Sequence, residues 1–290
     1  VRGFVAAYAE TLLNDVAARQ DLTDYVSSMQ KKYWGLYQAC VHDVLQREPD
    51  YYLAVGLAQT LRKDMQEYPE IGLTPPFTAS LKQTRSSLIA GLSLPDDPIE
   101  LFSVAVLAQE YLNGYVKDLA QTTGGAHHGT VKHLFRVCEK RALDPEEALG
   151  RVPANCWDAS RALVVYESMA GLGRGLERIL SDCKRGHVRV LRVKERFSEP
   201  TSGGWSDVLV NLSPAGAVFP CEIQMAHHQM MLIRENMGAH RTYAKFRNAV
   251  EILELFEART ATGEIVEDMS LSSDGALRGK ALGSRATFLR

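Results

Sequence analysis

Across residues 4–67 apolar positions recur at three- and four-residue spacing, as in Phe4, Tyr8, Leu12 and Val16 and again in Tyr33, Leu36, Tyr37, Cys40, Val41, Val44 and Leu45. This period gathers them on one side of a helix, so about three amphipathic helices are expected there. Residues 68–77, with Pro69, Gly72, Pro75 and Pro76, and residues 94–98, Leu-Pro-Asp-Asp-Pro, carry the breakers that end helices. Both read as loops. Helical spacing returns over residues 78–92 and 99–122, and Gly124-Gly125-Ala126-His127-His128-Gly129 then interrupts it.

Beyond that interruption the period changes. Short β-branched and apolar runs occupy residues 162–166, 188–193, 208–212 and 219–225, each of strand length. Residues 169–180 keep helical spacing between the first two runs, and Ser213-Pro214-Ala215-Gly216 joins the last two as a hairpin connection. From Met225 the helical period resumes to about Glu257. The pattern predicts an α+β chain: a helical region over residues 1–124, then a mixed β-sheet flanked by helices over residues 125–258. The polar Ser/Gly/Ala-rich stretch 259–290 reads as a poorly ordered tail.

Composition narrows the class without naming a chemistry. Hydrophobic residues make up 46% and charged residues 23%, as in ordinary globular proteins, which argues against a disordered or fibrous chain. The formal net charge of −2 gives no signature of nucleic-acid or membrane-surface binding, so any anion site must be local and no nucleic-acid partner is expected. Five scattered cysteines, Cys40, Cys138, Cys156, Cys183 and Cys221, form no C-x-x-C pair and suggest a reducing compartment. No signal-peptide core or membrane-length apolar run occurs, and the expectation is a cytoplasmic protein.

Three constellations could carry chemistry. Asp158 opens the first strand-like run and Glu222 lies in Cys221-Glu222-Ile223-Gln224-Met225. Alternation turns Glu222 and Gln224 to one face and Cys221, Ile223 and Met225 to the core. If the first and fourth runs are neighbours, Asp158 and Glu222 converge, as a Mg²⁺ site of one or two carboxylates completed by phosphate oxygens and water requires. Lys132, Arg136 and Lys140, four residues apart, form one positive stripe if they share a helix. Arg161, Arg192, Lys194 and Arg196 add the charge that phosphate groups attract. Finally, in Ser202-Gly203-Gly204-Trp205-Ser206-Asp207 the glycines allow close backbone approach, and an exposed Trp205 could stack on a base. A turn with a core indole is the plainer reading. His127-His128 and His227-His228 read as surface or core histidines, because adjacent side chains diverge. Gly171-Leu172-Gly173-Arg174-Gly175 lacks dinucleotide spacing and falls within a predicted helix.

In order along residues 129–247 these segments resemble the synthetase-type domain of the RelA/SpoT family, which moves pyrophosphate from ATP to the 3′-hydroxyl of GDP or GTP. Gly129-Thr130-Val131-Lys132 with Arg136 and Lys140 is similar to the family's R-x-K helix, and Asp158 to Val165 to its metal-binding strand. Lys194 to Asp207 is similar to its K-D-Y segment, Glu222-Ile223-Gln224-Met225 to its E-x-Q strand, and Glu235, Gly238, Ala239, His240 and Tyr243 to the helix that follows. The resemblance implies a nucleotidyltransferase-like fold with Asp158 as a metal ligand. Glu222 would ligate the metal or activate the acceptor hydroxyl, and Lys132, Arg136, Lys140, Arg161, Lys194, Trp205, Gln224 and His240 would contact nucleotides. Thr130, Gly203, Leu209 and Ala226 depart from the family pattern at its first arginine, an asparagine, a histidine and a second arginine.

The expected activity is Mg²⁺-dependent nucleotidyl or pyrophosphoryl transfer from ATP to a nucleotide-like acceptor, with GDP or GTP as candidates. The alternative is a non-catalytic module that keeps the fold and binds a nucleotide or a protein partner.

Overall fold

The structure, a computed structural model, describes residues 2–67, 98–143, 156–214, 219–236 and 239–261. The breaker-rich stretches at 68–77 and 94–97, the helical spacing of 78–92 and the polar tail lie outside the described residues.

Helices α1 (Arg2–Asn14), α2 (Val16–Asp43) and α3 (Tyr51–Glu67) follow one another as the apolar period predicts. Asp15 caps α2, its side chain accepting the Ala18 amide and so satisfying one of the donors a helix start leaves free. A 3-10 turn, Leu45–Arg47, separates α2 from α3. Helix α4 (Pro98–Thr123) starts on a proline, whose missing N–H costs nothing in a first turn.

The chain then enters β1 (Ala126–Val131), α5 (Leu134–Leu143), β2 (Ser160–Tyr166) and α6 (Met169–Lys184). Next come β3 (Val188–Glu195), β4 (Val208–Pro214), β5 (Cys221–His227), α7 (His228–Asn236) and α8 (Ala239–Ala261). The sheet has the order β1-β2-β5-β4-β3, with β2 and β5 parallel and every other pair antiparallel. The architecture is α+β: N-terminal helices and a mixed sheet flanked by helices. Gly171 to Gly175 lie inside α6, whose start is capped by Ser168.

Strand β1 corrects the sequence reading of residues 124–129 as a mere interruption. Ala126-His127-His128-Gly129-Thr130-Val131 carries little apolar alternation because β1 is an edge strand with mostly exposed side chains. Gly129 is what lets α4 lie against it: a Cβ there would stand 2.2 Å from the Asn113 Oδ1.

One contiguous buried cluster joins the two halves of the chain. Tyr33 and Tyr37 of α2, Ala54 and Leu61 of α3, and Leu112 and Leu119 of α4 belong to it, as do Val164, Val210, Ile223 and Met225 of the sheet. A smaller cluster gathers Ala9, Leu143, Leu255 and Phe256, packing α1, α5 and α8 together. All five cysteines are free. Among the described residues no helix is long and apolar enough to cross a membrane.

Candidate functional site

Pairing register decides which side chains share the sheet face turned away from the main core. Arg161 stands opposite Thr130 and Glu222, Glu222 opposite Asn211, and Asn211 opposite Arg192. One pleat further on, His128, Leu163, Gln224, Leu209 and Lys194 form a second row. Because side chains alternate, both rows project from one face. Glu222, Gln224, Arg161, Arg192 and Lys194 are all partly accessible there. On the opposite face Val164, Val210, Ile223 and Met225 are fully buried.

At the end of this face where β2 and β5 begin, Asp158 sits in the turn before β2, and two ammonium groups hold its carboxylate. Lys132 Nζ forms an ion pair with Oδ2, and Lys140 Nζ lies 2.8 Å from Oδ1. The Lys132 backbone donates to the Ala159 carbonyl at 2.8 Å, continuing the β1–β2 ladder past its last paired residues and delivering the lysine to Asp158. The Asp158 side chain is 16% exposed and that of Lys132 only 4%. Burial opposes ionisation of Asp158, yet the two lysines outweigh it and hold the carboxyl well below the usual carboxylate range. Burial lowers the pKa of Lys132, with Asp158 pulling against it. Burial likewise works against the charge on Lys140, but Asp158 overcomes it and the pKa is raised. The buried Cys156 thiol is 3.6 Å from Asp158 Oδ1 and is pushed up to about 11, chiefly by burial, so it stays a neutral donor.

Glu222 is the second carboxylate of the site. No hydrogen bond or ion pair reaches it among the described residues, and its pKa is raised, first by burial and then by the Asp158 charge. Lys140, Lys132 and Arg196 oppose that rise. An acid in this setting is held nearer neutrality, where a proton acceptor is most effective. On the far side of Glu222, the Arg192 guanidinium lies 4.8 Å from the Trp157 ring centroid and donates to Asn211 Oδ1 at 2.8 Å. Asn211 in turn donates to the Trp157 carbonyl at 3.2 Å.

The positive stripe expected of Lys132, Arg136 and Lys140 does not form, because Lys132 precedes α5 while Arg136 and Lys140 lie on it. Arg136 turns instead to Glu251 of α8, at 2.6 Å, and to Glu139, also at 2.6 Å. Trp205 is 5% exposed rather than displayed at a loop edge, which corrects the expectation of an open stacking surface. Its indole packs edge-on against Tyr37 at 5.3 Å, Arg234 lies 5.4 Å from its centroid, and its N–H donates to Asp207. Gly204 does allow a close approach, although by α2: its φ is +83°, and a Cβ would stand 2.7 Å from the Trp34 Cα. His240 falls in the first turn of α8, with its side chain outside the described residues. His127 and His128 are exposed on β1, whereas His227 is buried with Nε2 2.8 Å from Glu48 Oε1. Asp207, Asn211, Trp157 and Cys156 were not singled out by sequence. Only the position of Asp207 within the Gly-Gly-Trp-Ser-Asp segment marked any of them.

No protein-family model matches the chain, and no curated protein matches it. Among solved structures it is similar to the small alarmone synthetase 1 from Bacillus subtilis bound to its product pppGpp. The identity is 14% over 56% of this chain and 95% of that one, with a TM-score of 0.37. It is also similar to the complex between the Type VI effector Tas1 and its immunity protein, at 15% identity over 60% of this chain and 100% of that one, with a TM-score of 0.36. Likenesses this distant add no weight to the geometry of the site.

Among the described residues no three His, Cys, Asp or Glu side chains gather where they could hold a metal ion. Mg²⁺ asks for less, since it is bound through one or two carboxylates together with substrate phosphates and water. Asp158 and Glu222 supply hard oxygen donors near enough for the charge of one to raise the pKa of the other. Both Asp158 oxygens are engaged by lysines, so an ion held there would have to displace them.

Proposed function

We propose that the open sheet face binds a nucleoside triphosphate with Mg²⁺ and transfers a phosphoryl-containing group from it to a hydroxyl of a nucleotide-like acceptor. ATP is the proposed donor, and GDP or GTP are the first acceptors to test. The observation that carries this reading is Glu222: a carboxylate with a raised pKa and no hydrogen-bond partner among the described residues, between a two-lysine cluster and Arg192.

Each group has a separate part. Lys132 and Lys140 turn from Asp158 to the phosphates as the nucleotide enters, and Arg161, Arg192, Lys194 and Arg196 balance the remaining charge. Fixed cations of this kind stabilise the charge spread over a transferring phosphoryl group. Mg²⁺, held by Asp158 and Glu222, would supply neutralisation of that same charge. The acceptor oxygen forms its bond to phosphorus as the bond to the bridging oxygen breaks. The hydroxyl proton passes to Glu222, and the leaving nucleotide departs as an anion facing the lysines.

A second reading rests on a different observation. Both oxygens of Asp158 are engaged by lysines, and Trp205 is buried. A face so arranged would also suit a module that binds a nucleotide without turning it over. Incubation of the full chain with Mg²⁺, γ-labelled ATP and a panel of nucleotide acceptors separates the two. Labelled product supports transfer; saturable ATP binding without product supports the module; absence of both overturns the nucleotide reading.

A further inference from the structure

Asp207 is fully buried, yet its carboxylate lies just beyond the second row of the open face. Its Oδ2 accepts from the Trp205 indole at 2.7 Å and from Gln224 Nε2, and its Oδ1 from Arg196 Nη1 at 3.2 Å. The Arg196 amide also donates to the Asp207 carbonyl at 2.9 Å, carrying the β3–β4 ladder one residue past Glu195 and Val208. Two of the three side chains on this carboxylate therefore belong to the substrate face: Gln224 beside Glu222 on β5, and Arg196, whose charge is felt at Glu222.

The third donor leads away from the site. Trp205 packs against Tyr37 of α2, and Gln38 of α2 donates to the Gly204 carbonyl at 2.8 Å and contacts Ser206 Oγ at 3.4 Å. With the close passage of Gly204 over Trp34, α2 grips residues 204–206 from one face, through Trp34, Tyr37 and Gln38 at i, i+3 and i+4. A buried carboxylate with three donors is costly to move, because any displacement leaves a charge or an amide unpaired.

We infer that Asp207 is a positioning residue that aims Arg196 and Gln224 at the bound polyphosphate, and that α2 is the support that fixes it there. The inference rests on the proposed nucleotide site and adds a role for the N-terminal helical region: it shapes the site from behind the Gly-Gly-Trp-Ser-Asp segment.

The test is equilibrium binding of Mg·ATP to the full chain, with thermal melting to confirm folding. If the parent protein binds no ATP, the proposed function fails before this inference is reached. Given binding, Asp207→Asn should weaken it about ten-fold, the scale of a lost charge-assisted hydrogen bond. Arg196→Ala should do likewise, and the double variant should be no weaker than either alone, since both remove one linked unit. Additive losses in a folded double variant would show that Asp207 does not act through Arg196 and would overturn the inference, as would unchanged affinity in folded Asp207→Asn. Should Asp207→Asn fail to fold, Trp205→Phe decides. It deletes the indole donor to Asp207 together with part of the ring packed on Tyr37, and the inference predicts a several-fold loss of affinity; wild-type affinity in folded Trp205→Phe would contradict it.

Discussion

Lys140 Nζ stands 2.8 Å from Asp158 Oδ1 while Lys132 holds the other oxygen of the same carboxylate. A phosphate group competes for those two lysines and a divalent cation competes for that carboxylate, so the binding of each is expected to help the other. Titration calorimetry with Mg²⁺ alone, ATP in chelator, and both together should show tight binding only for the pair. Equal ATP affinity with and without Mg²⁺ would contradict the exchange.

The lysine cluster also makes Asp158 a stability element. Removing one partner of a buried ion pair leaves the others uncompensated, so Asp158→Asn should cost about 3 kcal/mol in urea unfolding. Adding Lys132→Met should recover part of that loss, because one stranded charge is then gone.

The pH dependence of that contribution has a definite sign. The folded pKa of Asp158 lies well below its ordinary value of 3.8. The stabilisation is therefore present above about pH 4 and is lost as pH falls through the folded pKa. The gap in unfolding free energy between the parent and Asp158→Asn should be constant near neutrality and close only in stronger acid.

Glu222 is shifted the other way, above its ordinary value of 4.5, by burial and then by Asp158. A base must be ionised to accept a proton, so kcat/KM should rise with pH through a midpoint above the usual glutamate range. Asp158→Asn removes the neighbouring charge and should move that midpoint down.

At Gly204 both backbone and space forbid a side chain: φ is +83° and a Cβ would stand 2.7 Å from the Trp34 Cα. Gly204→Ala should lower stability by about 1–3 kcal/mol, through the combined left-handed strain and forced separation of α2 from the loop. A melting temperature equal to that of the parent would show that the contact is not tight.

Much of the fold was legible because burial writes itself into period. The β-branched runs marked β2 to β5, and the alternation of Glu222 and Gln224 against Ile223 and Met225 gave the open and buried faces of β5. Strand β1 was not legible, because an exposed edge needs no apolar alternation. The two-lysine hold on Asp158 was hidden for a related reason: the four-residue spacing of Lys132, Arg136 and Lys140 imitates a helix, while Asp158 and Glu251, which hold them, lie outside that segment. Asp207 escaped notice because its value lies in partners from β5, the end of β3 and the preceding loop, a conjunction that only strand pairing creates.

The most direct test of the central claim is a single-turnover measurement on Glu222→Gln, following ATP binding and label transfer in the same sample. The substitution keeps the shape and removes both the base and one charge from the proposed Mg²⁺ site, so the account predicts ATP binding that is weakened yet still saturable, with transfer from the bound nucleotide reduced by about 100-fold or more. Transfer at the parent rate would show that Glu222 does not take the acceptor proton and that the chemistry lies elsewhere.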